Sequence, residues 1–284
     1  MERETDWAGL WRELVAGQQR SWHHQVEEGE TDVWVKKAHD FHARTVRRWA
    51  TPDSSRELIA ATLRAHPGAT ALDIGAGTGA WAAFLARAAA RVTAVEPSGA
   101  MIGVMRGHLA AEDVGNVTVV EGAWPDVAVE PHDFTLCSHA MYGCPDLPGF
   151  VRAMIRCTRR VCFLVLRAPT ADGVMAQAAR RVWGHPHDSP NFQVAYNVLL
   201  QMGICANVLM EDSGPWDPWT SPSLDEALAE LKRRFDLGGR SEHDAFLADL
   251  LRRNLTPADG GYRWPSGVRS ALVYWDVNRE RETP

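Results

Sequence analysis

Two carboxylates and three glycines are spaced in a way that indicates a ligand site. In LDIGAGTGAW, residues 72–81, Asp73 precedes three glycines at alternate positions, Gly75, Gly77 and Gly79. Glycines at a strand-to-helix turn let the backbone approach a ligand without a Cβ clash, and the following helix presents free N–H groups. A carboxylate beside this turn disfavours a pyrophosphate and suits a ligand that carries a cation. The spacing is also one residue short of the G-x-G-x-x-G of dinucleotide sites.

A second carboxylate, Glu96, ends the next predicted strand, VTAVEP. A carboxylate at that strand end can accept hydrogen bonds from both hydroxyls of a ribose. A ligand with a ribose, a positive centre and no phosphate is S-adenosylmethionine, so the two carboxylates together predict that cofactor.

Strands and helices alternate around these residues, which predicts a parallel sheet with right-handed crossovers. After residue 169 the pattern changes to helices that separate two further strands. We therefore expect an α/β, Rossmann-like, doubly wound sheet of seven strands, mostly parallel, with an antiparallel last strand. The predicted strands are 69–74, 91–97, 116–122, 132–140, 160–169, 204–211 and 268–277.

The same pattern divides the chain into three parts. Residues 1–65 are predicted to be an N-terminal helical lid, and residues 66–170 the cofactor-binding core. Residues 171–284 are expected to complete the sheet and to insert a helical cap.

Composition narrows the class of partner. The net charge of −6 disfavours a nucleic-acid partner. Five cysteines without a C-x-x-C pair indicate a reducing compartment. The N-terminus has no apolar signal region and no run is long enough to span a membrane, so we expect a cytoplasmic protein without a membrane partner.

The twelve tryptophans suit either a pocket for an organic ligand or ordinary core packing. The oligomeric state is open.

LDIGAGTG followed by VTAVEPSGAM resembles the class I S-adenosylmethionine-dependent methyltransferases, and the likeness extends over about residues 65–170. The resemblance implies that the glycines pass under the methionine part of the cofactor and that Glu96 holds its ribose. Many relatives carry an aspartate for the adenine where this chain has Ala123, so backbone groups of Ala123 and Trp124 are expected to replace that contact. The expected cofactor contacts are Asp73, Gly75, Ala76, Gly77, Gly79, Glu96, Pro97, Met101, Ala123, Trp124 and Ser138.

The end of the fourth strand, CSHAMYG at 137–143, faces the transferred methyl group in this architecture. We predict that His139 accepts a proton near neutral pH and that Tyr142 orients the acceptor. The alternative is that His139 only hydrogen-bonds a loop or the cofactor.

Other titratable residues are candidates for the acceptor site. The loop 183–191 holds His185 and His187, and its alternative role is a solvated loop with a helix cap at Asp188 or Ser189. The His-x-His-Asp spacing is weak evidence for a metal, and we predict none. The residues predicted to contact the substrate are His39, His185, His187 and Tyr196.

These observations predict a methyltransferase that acts on a small organic molecule and releases S-adenosylhomocysteine. The alternatives are a methyltransferase of RNA or protein and a catalytically silent protein that binds S-adenosylmethionine. A nicotinamide dehydrogenase is a more distant alternative.

Overall fold

In the computed structural model, the described residues are 5–23, 32–212, 216 and 218–278. Their strands form two sheets, one of seven strands and one of three. The strands are β1 (Thr70–Ile74), β2 (Arg91–Glu96), β3 (Val117–Glu121), β4 (His132–Ser138), β5 (Thr158–Pro169), β6 (Asn207–Met210), β7 (Thr220–Ser221), β8 (Thr256–Ala258), β9 (Gly261–Arg263) and β10 (Val268–Asp276).

The seven-stranded sheet has the order β3-β2-β1-β4-β5-β10-β6. Strands β1 to β5 pair in parallel, whereas β10 runs antiparallel to both β5 and β6. This confirms the predicted α/β fold with an antiparallel last strand. Because the carboxyl ends of β1, β2 and β4 meet at one edge, the glycine turn, Glu96 and His139 are brought together there.

The α-helices lie mostly where the sequence predicts them. Ser98 caps α5 by accepting the backbone N–H of Met101, as predicted. The cap of α8 is Asn191, which accepts the N–H of Val194, so the alternative of a cap at Asp188 or Ser189 is wrong. The helices are α1 (Trp7–His23), α2 (Ala38–Trp49), α3 (Ser54–Arg64), α4 (Ala80–Ala86), α5 (Gly99–Ala111), α6 (Leu147–Arg156), α7 (Val174–Trp183), α8 (Phe192–Gln201), α9 (Leu224–Arg234) and α10 (Asp244–Asn254).

Two apolar cores pack against the large sheet. The first includes Trp11 of α1, which is fully buried and donates its indole N–H to the carbonyl of Cys144 at 2.8 Å. Helix α1 is therefore part of the packed core, whereas α2 borders the candidate site described below. A third core joins α7, α9 and α10 around Trp264.

The three-stranded sheet of β7, β9 and β8 is absent from the sequence-based prediction. Its strands have only two or three residues, too few to show the alternation that identifies a strand. Among the helices that the structure describes, none is long and apolar enough to cross a bilayer.

Candidate active site

The glycine turn after β1 depends on left-handed backbone conformations. Gly75, Gly77 and Gly79 have φ angles of 69°, 57° and 84°, a region that other residues enter only at a cost. A Cβ at Gly75 would overlap the side chain of Ala140, and one at Gly79 would overlap Met105. The turn therefore needs glycine for its own packing as well as for the approach of a ligand.

Glu96 fixes the turn to the tip of β2. Its Oε2 accepts the N–H of Gly77 at 2.8 Å, and its Oε1 accepts the N–H of Ser98 at 2.9 Å. Burial raises the pKa of Glu96, and these two N–H donors oppose the rise. Each carboxylate oxygen keeps a further acceptor site, so the pair of ribose hydroxyls can still bind.

Asp73 is fully buried beneath the turn. Burial, together with the nearby charge of Glu96, raises its pKa to about 7. Within the described part of the chain, its Oδ2 has no hydrogen-bond partner. Burying a carboxylate oxygen without a hydrogen-bond partner costs free energy. A cationic group of a ligand that bonds to this oxygen would offset that cost. Asp73 therefore fits a cofactor that carries positive charge.

Asp73 makes the affinity for S-adenosylmethionine dependent on pH. A cationic ligand favours the ionised carboxylate, so below the pKa of about 7 binding must first release a proton. We expect the affinity to rise from about pH 6 to about pH 8 and then level off. Calorimetry across this range tests the expectation with Asp73→Asn as the control, which should bind more weakly and lose the pH dependence. An equally steep pH dependence in Asp73→Asn would contradict it.

A cavity of about 720 Å³ opens from the glycine turn. One wall is the turn and the end of β4, and the opposite wall comes from α2 and the segment after it. Its lining is Phe41, Arg44, Thr45, Arg47, Arg48, Trp49, Thr51, Asp53, Gly75, Ala76, Gly77, Thr78, Ala80, Trp81, Ser138, His139, Val165, Glu211 and Trp216.

Arg48 is held firmly within this cavity. Its guanidinium lies 4.6 Å from the ring centroid of Trp216 and donates to Ser270 Oγ at 2.9 Å. It also lies 3.6 Å from the carboxylate of the buried Glu211. The charge of Arg48 is therefore already balanced by the protein.

His139 stands at the carboxyl end of β4 with a left-handed φ of 57°, which is uncommon for a residue with a side chain. The hydroxyl of Tyr142 accepts the N–H of Arg167 at 2.6 Å and lies 3.0 Å from His139 Nδ1. Tyr142 can use its one proton to donate to Nδ1, an arrangement that places the imidazole proton on Nε2, which lies 3.5 Å from Ser270 Oγ. Burial and the charges of Arg48 and Arg167 lower the pKa of His139 to about 3.

The residues predicted near the adenine do not line this cavity. Met101 is buried in the first turn of α5, while Pro97 and Ala123 are exposed. The indole N–H of Trp124 points to the carbonyl of Phe150 at 3.5 Å. Their contacts with an adenine stay a prediction.

Asp32, before α2, and His42, within α2, contact the elements that follow β1 and β2. Asp32 accepts from Ser98 Oγ at 2.8 Å and from the N–H of Ala100 at 3.2 Å. His42 Nδ1 lies 3.1 Å from Thr78 Oγ1. This segment therefore contacts both the glycine turn and the N-terminus of α5.

The four residues predicted to contact substrate lie outside the cavity lining. His39 is exposed on α2, and Tyr196 donates its hydroxyl to the carbonyl of Ala206 at 2.9 Å. His185 packs on Trp183 at 5.9 Å between ring centroids. His187 in turn packs on Trp7 at 6.1 Å. The structure does not bring these four together with His139, and their contacts with a substrate stay a prediction.

Asp188, in the same loop, is engaged by cations. Its carboxylate accepts from Arg234 Nε at 2.9 Å and from Arg167 at 3.4 Å. These ion pairs lower its pKa against the effect of burial. Across the described ranges, no group of three or more His, Cys, Asp or Glu is arranged to hold a metal ion.

Several residues of the cavity were not among the site residues predicted from sequence, chiefly Arg48, Trp216 and Glu211. The arginines of α2, at positions 44, 47 and 48, have the spacing of one helix face. That spacing is the one feature of the sequence that could have indicated these cavity residues. Glu211 and Trp216 come close to the site only through tertiary folding.

Residues 71–160 match the model of a family described as a methyltransferase domain. A curated protein-L-isoaspartate O-methyltransferase from Methanoregula boonei is 45% identical over 65 residues, covering 23% of this chain and 30% of that protein. The match thus spans less than a third of that relative's length.

Two solved structures are similar to this chain. The YcgJ protein from Bacillus subtilis matches with a TM-score of 0.51 at 16% identity, over 78% of this chain and 96% of that chain. An S-adenosylmethionine-dependent methyltransferase from Thiobacillus denitrificans, in complex with S-adenosylhomocysteine, matches with a TM-score of 0.49 at 16% identity, over 80% of this chain and 92% of that chain.

Residues 71–160 therefore resemble a methyltransferase domain, and they are set in a Rossmann-like sheet. The resemblance to class I S-adenosylmethionine-dependent methyltransferases is confirmed. The predicted cofactor, S-adenosylmethionine, suits this class, and Asp73, Glu96 and the glycine turn fit it.

Proposed function

We propose that this protein transfers a methyl group from S-adenosylmethionine to a small organic acceptor. The observation that carries the proposal is the cavity of about 720 Å³, which starts at the glycine turn and is walled by Trp49, Trp81 and Trp216. Its volume and its aromatic walls are those of a site for a small organic molecule. The unpaired state of all five cysteines supports the reducing, cytoplasmic compartment that we propose with it.

The protein's contribution is mainly positioning and exclusion of water. When bound, S-adenosylmethionine supplies a methyl group already activated by its sulfonium. Glu96 holds the ribose, the glycine turn passes under the methionine part of the cofactor, and the cavity walls hold the acceptor in line with the methyl group. We propose that α2 and residues 32–37 before it act as a lid, because Asp32 contacts Ser98 and His42 contacts Thr78 in the glycine turn.

We propose that His139 is a hydrogen-bond donor to the acceptor and not its base. Its lowered pKa of about 3 makes it a weak base at neutral pH, and Tyr142 keeps the proton on Nε2. If the acceptor loses a proton in the reaction, solvent takes that proton, or the acceptor is already ionised when it binds.

For His139→Ala, we expect turnover to fall by about tenfold to a hundredfold, with an unchanged affinity for S-adenosylhomocysteine. Tyr142→Phe removes the donor to Nδ1 and should give a smaller loss of the same kind. Initial rates and calorimetry on both variants measure these effects. Wild-type turnover in His139→Ala would exclude the residue from the reaction.

The proposed function is tested by incubating the protein with methyl-labelled S-adenosylmethionine and pools of small metabolites, followed by mass spectrometry of labelled products. We expect a labelled small molecule that fails to form with Glu96→Ala. Label found only in added protein or RNA would contradict the small acceptor. Binding of the cofactor without any labelled product would favour a catalytically silent protein.

A protein acceptor is the second candidate. The curated relative named above methylates protein L-isoaspartate, by its description. The same labelling experiment with an isoaspartyl peptide decides between the two, since only this candidate predicts a labelled peptide.

A further inference from the structure

Two cations of the cavity lining have no counter-charge among the residues that the structure describes. Arg44 and Arg47 line the cavity from α2 and are exposed. Within the residues that the structure describes, no carboxylate forms an ion pair with either guanidinium. Both differ in this respect from Arg48, which is balanced by Glu211.

The carboxylates of the cavity cannot neutralise them. Asp53 already forms an ion pair with Arg56, whose Nε donates to the Oδ2 of Asp53 at 2.6 Å. Glu211 is buried beside Arg48 and Ser270. With Glu211 paired to Arg48 and Asp53 paired to Arg56, the guanidinium groups of Arg44 and Arg47 are the two charges of the lining that have no ion pair among the described residues, in a chain whose net charge is −6. A local excess of the opposite sign attracts and orients an anionic ligand.

Aromatic walls lie beside these charges. Trp49 and Trp81 meet at 5.0 Å between ring centroids and at an angle of 81°. Trp216 forms a further part of the lining, near His139. Flat indole faces bind planar apolar groups, while guanidinium groups bind oxyanions through paired N–H donors.

We propose that the methyl acceptor is a planar apolar molecule with an oxyanion, a carboxylate or a phosphate, that is bound by Arg44 and Arg47. This inference rests on the proposed function, because it names the substrate class of the same cavity. The oxyanion also offsets the positive charge that the cofactor's sulfonium brings into the site. The apolar part of the acceptor lies along the tryptophan walls. The Nε2–H of His139 donates a hydrogen bond to a polar group of the acceptor.

The test is calorimetry with four probes in the presence of saturating S-adenosylhomocysteine. Phenylacetate and phenyl phosphate carry the two oxyanions, phenylacetamide is the neutral analogue, and phenethylamine is the cationic one. We expect at least one oxyanion to bind about tenfold or more tightly than phenylacetamide, and the amine not to bind. The stronger of the two anions identifies the kind of oxyanion.

Two variants assign the effect to these arginines. In the double variant Arg44→Gln, Arg47→Gln, the preference for the oxyanion over phenylacetamide should disappear, while the affinity for S-adenosylhomocysteine stays at the wild-type value. Arg64→Gln on α3 removes an exposed arginine outside the cavity and is the matched control, which should behave as wild type.

Several results would overturn the inference. They are equal affinities for phenylacetate, phenyl phosphate and phenylacetamide, a preference for the amine, or no saturable binding of either anion up to about 10 mM. A double variant that loses S-adenosylhomocysteine but keeps the probe preference would assign the arginines to the cofactor. Tight binding of a single-stranded oligonucleotide without binding of the small anions would favour a nucleic acid. If wild-type protein fails to bind S-adenosylhomocysteine at all, the proposed function itself fails, which is a separate outcome.

Discussion

Glu96→Ala is expected to weaken S-adenosylhomocysteine binding by about a hundredfold or more. We propose that the carboxylate accepts two ribose hydroxyls, and each hydrogen bond to a charged group contributes about 1.5–3 kcal/mol. It also accepts the N–H groups of Gly77 and Ser98, so its removal loosens the turn that lies under the cofactor. Calorimetry with purified protein measures the loss.

Glu121→Ala is the matched control, because Glu121 ends β3 directly beside Glu96 in the parallel register. Glu121 is exposed, and we expect its removal to leave binding unchanged. Glu96→Gln keeps the size of the side chain and should lose less affinity than Glu96→Ala. Wild-type affinity in a folded Glu96→Ala protein would remove the ribose assignment.

Gly75→Ala is expected to destabilise the fold by about 3 kcal/mol. The substitution puts a Cβ at a φ of 69°, which costs about 1–2 kcal/mol. That Cβ also overlaps Ala140, and such overpacking costs about 1–3 kcal/mol. For a chain of this size the melting temperature should fall by roughly 6 °C or more, as measured by thermal denaturation.

Two other glycines separate the causes of this loss. Gly77→Ala has the same left-handed backbone strain, but its Cβ would meet only the ring of Phe41, at 3.9 Å. It should therefore lower the free energy of unfolding by only about 1–2 kcal/mol. Gly103→Ala lies in α5 with open space around it and should gain up to about 1 kcal/mol. Equal melting temperatures for Gly75→Ala and Gly103→Ala would contradict the account of the turn.

The core of the fold was predictable because its signals are local. Buried apolar strands, helices of regular period and a capping serine at position 98 each depend on a few neighbouring residues. The placement of Asp73, the glycines and Glu96 was predictable for the same reason, since they lie at strand ends whose place in a parallel sheet follows from chain order.

The cavity wall opposite the glycine turn was not predictable because its residues come from distant segments. Arg48 and Glu211 meet 3.6 Å apart across 163 positions of the chain, and no local pattern encodes that contact. The histidines at 185 and 187 are conspicuous in sequence, yet they pack against tryptophans outside the cavity. A cluster of titratable residues in one loop thus says little about where the loop is placed.

The most direct test is a crystal structure of the protein grown with S-adenosylhomocysteine, with a parallel crystal grown with NAD⁺. The account predicts S-adenosylhomocysteine on the glycine turn, with both ribose hydroxyls on Glu96 and its sulfur facing the cavity at His139. An empty turn in the first crystal, or NAD⁺ bound there in the second, would contradict it.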